Sequence, residues 1–159
     1  MAVTVDLQNA SGTRRVPLKR EFTRWASAAL AQLGLEQAQG GAGTRSAKSV
    51  LSIRIVDEEE SAQLNSHYRH KQGATNILSF PVPEGLPDSL LGDLAICAAV
   101  VAREAEEQHK SLDAHWAHMT VHGVLHLKGY DHEVPEEADA METLETRILE
   151  QLGYQNPYQ

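Results

Sequence analysis

Four segments of the chain have the alternating or short apolar patterns that are typical of β-strands. They are Val3–Leu7, Ser49–Val56, Asn76–Phe80 and Leu90–Cys97. The third segment is stopped by Pro81 and Pro83, because proline has no backbone N–H to donate to a neighbouring strand. Together the segments predict one sheet of about four strands.

Apolar residues recur at helical spacing between and after these strands. The predicted helices run from Pro17 to Gly34, from Asp57 to about Tyr68, from Ala98 to Lys110, from about Ala114 to Lys128, and from Pro135 to about Leu152. Residues 36–47 and 69–75 are predicted loops, and Gly34 and Gly129 are expected to end the first and fourth helices. Four strands and four or five helices in mixed order predict a single α+β domain over residues 1–159, with a mixed sheet.

The composition is that of a soluble domain without a membrane segment. Hydrophobic residues make up 42% and charged residues 23% of the chain. No apolar run approaches the ~20 residues of a membrane helix, and the N-terminal residues lack the basic start and apolar stretch of a signal peptide. The single cysteine, Cys97, excludes an internal disulfide and is expected to be a buried, inert thiol. A cytoplasmic protein is therefore expected.

The negative charge is concentrated in the last part of the chain. The net charge is −8, which taken alone disfavours binding to nucleic acid. Residues 133–159 hold seven acids and one base, so they carry −6 and residues 1–132 carry only −2. The composition therefore leaves room for a local basic surface in the first 132 residues.

Three histidines near the end of the fourth predicted helix have the spacing of a metal site. His122 and His126 are four residues apart, so they project from one face of the helix about 6 Å apart. Gly129 breaks the helix, and the following turn can fold His132 back over the same face. His118 is about 12 Å from His126 along the helix axis, too far to share an ion bound at ~2.0–2.1 Å. The spacing H-x3-H-x5-H thus predicts a site formed by His122, His126 and His132.

This ligand set favours zinc, although three imidazoles can also bind copper, nickel or iron. Three protein ligands leave a fourth position open, which is typical of catalytic zinc, whereas structural sites usually have four protein ligands. The alternative is that histidines at this spacing are surface or packing residues. We interpret His118 as support for the site or as a packing residue, and His109 and His115 as surface residues.

Gly123 argues against a peptidase. The common zinc-protease motif is H-E-x-x-H, in which the glutamate is the general base. Gly123 stands at the position of that glutamate, so a peptidase would lack its base. The glycine is also expected to leave open space beside the ion, where a bulky substrate or a backbone could approach.

A second candidate site lies in the segment LNSHYRHKQGATNILSFP. This segment contains Arg69 and Lys71 and has no acid between Asn65 and Phe80. Arginine offers a fork of donors that suits a phosphate. The alternative interpretation is a solvated basic loop, and the segment by itself favours that alternative.

Together the two segments resemble the YbeY family of bacterial rRNA maturation factors, which are zinc-dependent endoribonucleases. Residues 122–132 match the family pattern H-G-x-L-H-L-x-G-Y-D-H throughout. Residues 68–81 match Y-R-x-K-x-x-x-T-N-x-L-S-F-P, and residues 90–97 match L-L-G-D-x-x-I-C. The chain departs from the family at Gln72, where aspartate is frequent, and at Ala74, where proline is frequent. Loss of the aspartate makes the loop more basic and removes a candidate anchor of the loop.

The resemblance implies that His122, His126 and His132 bind one zinc ion and that Arg69 is the functional arginine facing the metal cleft. It implies an endoribonuclease that cleaves single-stranded RNA in rRNA maturation and ribosome quality control. Zinc would activate a water or polarise a phosphoryl oxygen, and Arg69 would neutralise charge on the phosphate. Asp131 is a candidate to orient a ligand imidazole, or equally a turn residue.

Two other functions stay open at this point. The first is an assembly factor that binds rRNA or a ribosomal protein, in which zinc mainly shapes the surface and the acidic final helix contacts a basic protein. The second is hydrolysis of a substrate other than RNA at the same metal. The open ligand position favours catalysis, and the acidic balance favours a protein partner.

Overall fold

Four strands form one mixed sheet in the computed structural model, which describes residues 3–38, 49–87, 89–130 and 134–158. The strands are β1 (Val3–Asn9), β2 (Ser49–Val56), β3 (Ile77–Pro81) and β4 (Leu90–Cys97), in the order β1-β2-β4-β3 across the sheet. β2 pairs in parallel with β1 and β4, whereas β3 pairs antiparallel with β4. The predicted α+β fold with a mixed sheet of four strands is confirmed.

The described residues also form five helices. They are α1 (Lys19–Ala38), α2 (Glu58–Arg69), α3 (Ala98–Glu107), α4 (Leu112–Leu127) and α5 (Pro135–Gln151). None of them combines the length and the apolar character needed to cross a bilayer. The predicted end of the first helix at Gly34 is wrong, because α1 continues to Ala38. An interior glycine costs a helix only about 1 kcal/mol, which the buried apolar face of α1 outweighs.

Side-chain caps set the starts of two helices, α2 at the predicted Asp57 and α4 two residues before the predicted Ala114. Asp57 accepts a hydrogen bond from the backbone N–H of Glu60 at 2.8 Å and begins α2. Ser111 accepts one from the N–H of Ala114 at 3.0 Å and begins α4. These bonds satisfy donors that the first turn of a helix leaves unpaired. Of the predicted loop at 36–47, residues 36–38 belong to α1 and residues 39–47 lie outside the described residues.

The central helix of the fold is α4, which contacts α1, α3, α5, β3 and β4. Its Trp116 and Leu125 are fully buried in the main core, together with Trp25 of α1 and Ile148 of α5. A helix covered on several sides is held rigidly, and a site built on it is positioned more exactly than a site on a loop. Cys97, at the end of β4, is fully buried as expected, and burial raises the pKa of its thiol.

A glycine in β4 brings the end of α4 close to the sheet. Gly92 has φ +130°, a conformation that L side chains rarely adopt. A Cβ atom at this position would lie 2.6 Å from the carbonyl oxygen of Phe80 and 2.9 Å from the Cδ2 atom of Leu127. The absence of a side chain therefore lets β3 and the last residue of α4 pack directly on β4.

Gly92→Ala is expected to lower the free energy of unfolding by roughly 2–4 kcal/mol, because backbone strain and a steric clash add. The matched control is Gly85→Ala, since Gly85 has φ +94° but a Cβ atom there would meet nothing within 4 Å. The control should cost roughly 1 kcal/mol, from the backbone conformation alone. Urea unfolding of both variants measures the difference, and equal losses would contradict the role given to the close packing at Gly92.

Candidate metal centre and cleft

His122 and His126 lie on the last two turns of α4 and face the same cleft, which has a volume of about 420 Å³. Both side chains are half-buried, and their ring centroids are 4.7 Å apart. The structure therefore brings two of the three predicted ligands together. The third, His132, and the candidate orienting residue Asp131 lie outside the described residues.

Gly123, between the two histidines, faces the sheet and not the cleft. A Cβ atom at Gly123 would lie 2.7 Å from Cδ1 of Ile77 and 2.8 Å from Cδ2 of Leu94. The expectation that this glycine leaves open space beside the ion is therefore wrong, because the side chains of β3 and β4 fill that space. Its role is to let α4 approach the sheet, which places His122 and His126 next to β3.

Arg69 and Lys71 line the same cleft as the two histidines. Arg69 is the last residue of α2, and the helix ends because His70 adopts a left-handed conformation with φ 56°. The other polar side chains in the cleft are those of Asn65, Thr75, Asn76 and Ser79, and no lining residue that the structure describes is acidic. The cleft is thus cationic, which suits a phosphate.

The loop after Arg69 is fixed to α2 by two buried side chains. The Ser61 hydroxyl donates to the Thr75 carbonyl and accepts from the Thr75 N–H, both at 2.9 Å. The Asn65 amide donates to the carbonyl of Gly73 at 2.9 Å. Buried hydrogen bonds of this kind are costly to break. The loop is therefore anchored through its backbone, without the aspartate that Gln72 replaces.

Asn76 is fixed from behind the cleft by a partly buried network. Its amide donates to the Glu104 carboxylate at 3.1 Å, and its Oδ1 atom accepts from the N–H of Ile77 at 2.6 Å. The imidazole of His115 donates through Nε2 to the same carboxylate at 2.9 Å. The interpretation of His115 as a surface residue is wrong, since it is 1% exposed and burial lowers its pKa. His115 instead holds the Glu104 carboxylate through Nε2, and this carboxylate holds the side chain of Asn76.

Glu145 of α5 is a buried carboxylate that contacts both His118 and His122. It is fully buried, and it accepts hydrogen bonds from Nδ1 of His122 at 2.6 Å and Nε2 of His118 at 2.9 Å, and a short one from the Tyr158 hydroxyl. Burial by itself would raise the pKa of Glu145, but the hydrogen bonds from His118 and His122 lower it to about 2.

The position of Glu145 determines which nitrogen of His122 can bind a metal. An ionised carboxylate only accepts hydrogen bonds, so the proton of neutral His122 lies on Nδ1. Its Nε2 atom is then the nitrogen without a proton, which is the form that binds a metal. A carboxylate that holds the far nitrogen of a ligand histidine is a common feature of zinc sites.

His118, His122 and Glu145 form a group that could itself hold a metal, because their ligand atoms lie within 4.8 Å of one another. Two observations favour hydrogen bonding within this group. Zinc bonds of ~2.0–2.2 Å in a tetrahedron separate the ligand atoms by more than ~3 Å, whereas the nitrogen–oxygen distances here are 2.6 and 2.9 Å. The Lys110 ammonium also lies 3.5 Å from Nδ1 of His118 and would oppose a cation. The distances therefore favour a hydrogen-bonded group that holds His122 over a metal bound within the group.

Comparison with known proteins agrees with these motifs. The family model described as Endoribonuclease YbeY matches residues 6–153. The chain belongs to this family. A relative from Nitrosococcus oceani is 53% identical, and the match covers 100% of this chain and 99% of that protein. One from Methylococcus capsulatus is 54% identical over 98% of this chain and 95% of that protein, and both carry the name Endoribonuclease YbeY.

A solved structure shares the fold at much lower identity. The solution structure of a protein from Thermotoga maritima has a TM-score of 0.55 and 19% sequence identity, over 94% of this chain and 92% of that one. At this identity the likeness concerns the fold alone. The resemblance drawn from the three sequence motifs is confirmed by the family model and the relatives.

Proposed function

We propose that this protein is a zinc-dependent endoribonuclease that cleaves single-stranded RNA in rRNA maturation and ribosome quality control. Membership of the Endoribonuclease YbeY family supports the coarser part, an enzyme that cleaves RNA phosphodiester bonds. The observation that carries the finer part is that His122, His126 and Arg69 line one cleft whose described lining contains no acid.

One zinc ion per chain is proposed to bind to His122, His126 and His132. The residues fit this ion, because Glu145 accepts the hydrogen bond from Nδ1 of His122 and so leaves Nε2 as the nitrogen without a proton, and imidazole is a preferred zinc ligand. When bound, zinc supplies Lewis-acid activation of water and of the phosphoryl group. Three protein ligands leave a position open for such chemistry.

The protein's own part in the reaction is to hold and neutralise the phosphodiester. Arg69 lines the cleft at the end of α2, and its planar guanidinium can donate two parallel hydrogen bonds to phosphate oxygens. Lys71, two residues further, adds a second positive charge at the same wall. The Ser61 and Asn65 anchors hold this wall in place, so little reorganisation is needed when charge develops on the phosphate.

The size of the cleft supports a preference for single strands. A volume of about 420 Å³ is in the range that accommodates one small ligand, about 300–1,000 Å³. A single strand can place one unstacked nucleotide in such a space, whereas the paired strands of a duplex are rigid and keep their bases inside. Ribosomal RNA as substrate, and a cytoplasmic location, belong to the same proposal through the family resemblance.

A second candidate function is ribosome assembly without catalysis. The exposed acids at the start of α5, which include Glu136, Glu137 and Asp139, are compatible with docking to a basic ribosomal protein. In that case zinc would mainly shape the surface. RNA cleavage by the isolated protein separates the two candidates.

The test is cleavage of one defined RNA by the zinc-loaded protein, first as a single strand and then paired with its complement. We expect the single strand to be cut at least tenfold faster, because the duplex cannot enter the cleft. A chelator should stop the reaction and added zinc should restore it. Equal rates on both RNAs would contradict the strand preference, and bound zinc without any cleavage would favour the assembly factor.

A further inference from the structure

We propose that Tyr158 is a positioning residue for the metal centre, because its hydroxyl completes the donor set on the carboxylate that orients His122. The inference rests on the proposed function, since it presumes that His122 binds zinc. It adds a residue from the segment after α5 to the group of His118, His122 and Glu145, which is built on α4 and α5.

Among the residues that the structure describes, three donors share the oxygens of Glu145. Oε2 accepts from Nδ1 of His122 at 2.6 Å. Oε1 accepts from Nε2 of His118 at 2.9 Å and from the Tyr158 hydroxyl. Because Glu145 is fully buried, protein donors must replace the water that a carboxylate would otherwise bind. Each donor therefore helps to fix the position of the carboxylate, and the carboxylate in turn fixes the orientation of the His122 ring.

Oε1 of Glu145 is the acceptor in both of its hydrogen bonds. A carboxylate oxygen accepts, so the Tyr158 hydroxyl and Nε2 of His118 both donate. The Nδ1 atom of neutral His118 is then an acceptor, and the Lys110 ammonium lies 3.5 Å from it. Two donors that lie 3.3 Å apart thus share the same oxygen, and His118 alone does not complete its environment.

The segment after α5 is shaped to deliver this hydroxyl. Gly153 turns the chain with φ +96°, and the side chain of Asn156 accepts from the backbone N–H of Tyr158 at 2.8 Å. The Tyr158 ring meets the His118 ring edge-on, with centroids 5.4 Å apart. Tyr158 is 47% exposed, and its hydroxyl is the group that reaches the buried carboxylate.

Removal of this hydroxyl leaves Oε1 with one donor fewer in a site that solvent cannot reach. Glu145 can then turn towards His118, which loosens its hold on Nδ1 of His122. Loss of a partner that orients a metal ligand typically reduces metal affinity by about 10–100-fold. We therefore expect an effect on zinc affinity that exceeds the effect on folding.

Tyr158→Phe tests this, with Tyr154→Phe as the matched control. The Tyr154 hydroxyl lies in the same C-terminal segment and donates to Asp113 at 2.6 Å, outside the His118–Glu145 group. Competition with a chelator measures the zinc dissociation constant, and thermal melting of the zinc-free proteins measures folding. Tyr158→Phe should weaken zinc binding by about tenfold, whereas Tyr154→Phe should leave it within twofold.

A second measurement follows the tautomer of His122 without any metal. Imidazole ¹⁵N shifts of the zinc-free protein should report a proton on Nδ1 in the wild type and a mixture of tautomers in Tyr158→Phe. A wild-type proton on Nε2 would overturn the inference, as would equal zinc affinities for all three proteins or equal losses in both variants. None of these results bears on the proposed function, which RNA cleavage by the wild type tests separately. A wild type that binds no zinc would contradict both the proposed function and the role of Tyr158.

Discussion

Arg69→Ala is expected to slow RNA cleavage by about 10²–10³-fold while the protein keeps its zinc, because the substitution removes a donor aimed at developing charge. Arg69 belongs to α2, whereas His122 and His126 belong to α4, so its loss leaves the metal ligands in place. The anchors of the following loop, Ser61 and Asn65, also remain. Single-turnover cleavage rates measure the loss of activity, and the zinc content of the same preparation measures whether the metal is kept.

Two variants sharpen the test of Arg69. Arg69→Lys keeps the charge but loses the planar fork, so an intermediate rate would indicate that the geometry of the donors matters as well as the charge. Arg20→Ala removes an exposed arginine of α1 that does not line the cleft, and should leave the rate unchanged. Full activity of Arg69→Ala would remove this residue from the mechanism.

His126→Ala is expected to abolish cleavage and to weaken zinc binding by more than the 10–100-fold that follows loss of an outer partner. The imidazole of His126 lies 4.7 Å from that of His122 between ring centroids, and the variant would remove one of the three proposed ligands. Metal analysis after dialysis without chelator, together with cleavage of the single-stranded RNA, measures both effects.

The control for this variant is His67→Ala, which removes an exposed histidine of α2 that does not line the cleft. It should keep about one zinc per chain and normal cleavage. If His126→Ala retained stoichiometric zinc with wild-type affinity, histidine ligation in the cleft would be wrong. Zinc lost with cleavage retained would instead separate the metal from the reaction.

Local signals in the sequence were enough to predict the elements that carry the site. The period of the apolar residues predicted all four strands, and Asp57 and Ser111 begin their helices because a cap depends on a few neighbouring residues. The spacing of His122 and His126 likewise depends on the geometry of one helix. The error at Gly34 arose because tertiary packing outweighs the propensity of one residue.

Contacts between distant elements were beyond the reach of these signals. Glu145 is 23 residues from His122 along the chain, and nothing local links the two. One signal was present, because Glu145 falls on the buried stripe of α5 with Met141, Ile148 and Leu149. A charged residue on such a stripe is almost never fully buried without a partner, which was a reason to look for one. His115 was wrongly predicted to be a surface residue because it is polar. Since α4 is covered on several sides, it buries polar residues as well as apolar ones.

The backbone anchoring of the loop after Arg69 has a consequence for how the enzyme can vary. The anchors grip the carbonyl of Gly73 and the peptide groups of Thr75, whereas the side chain at Gln72 is exposed. Mutation at position 72 can therefore change the charge beside the cleft without moving the guanidinium of Arg69. Substitutions at this position, natural or engineered, can therefore adjust the affinity for RNA without changing the position of Arg69.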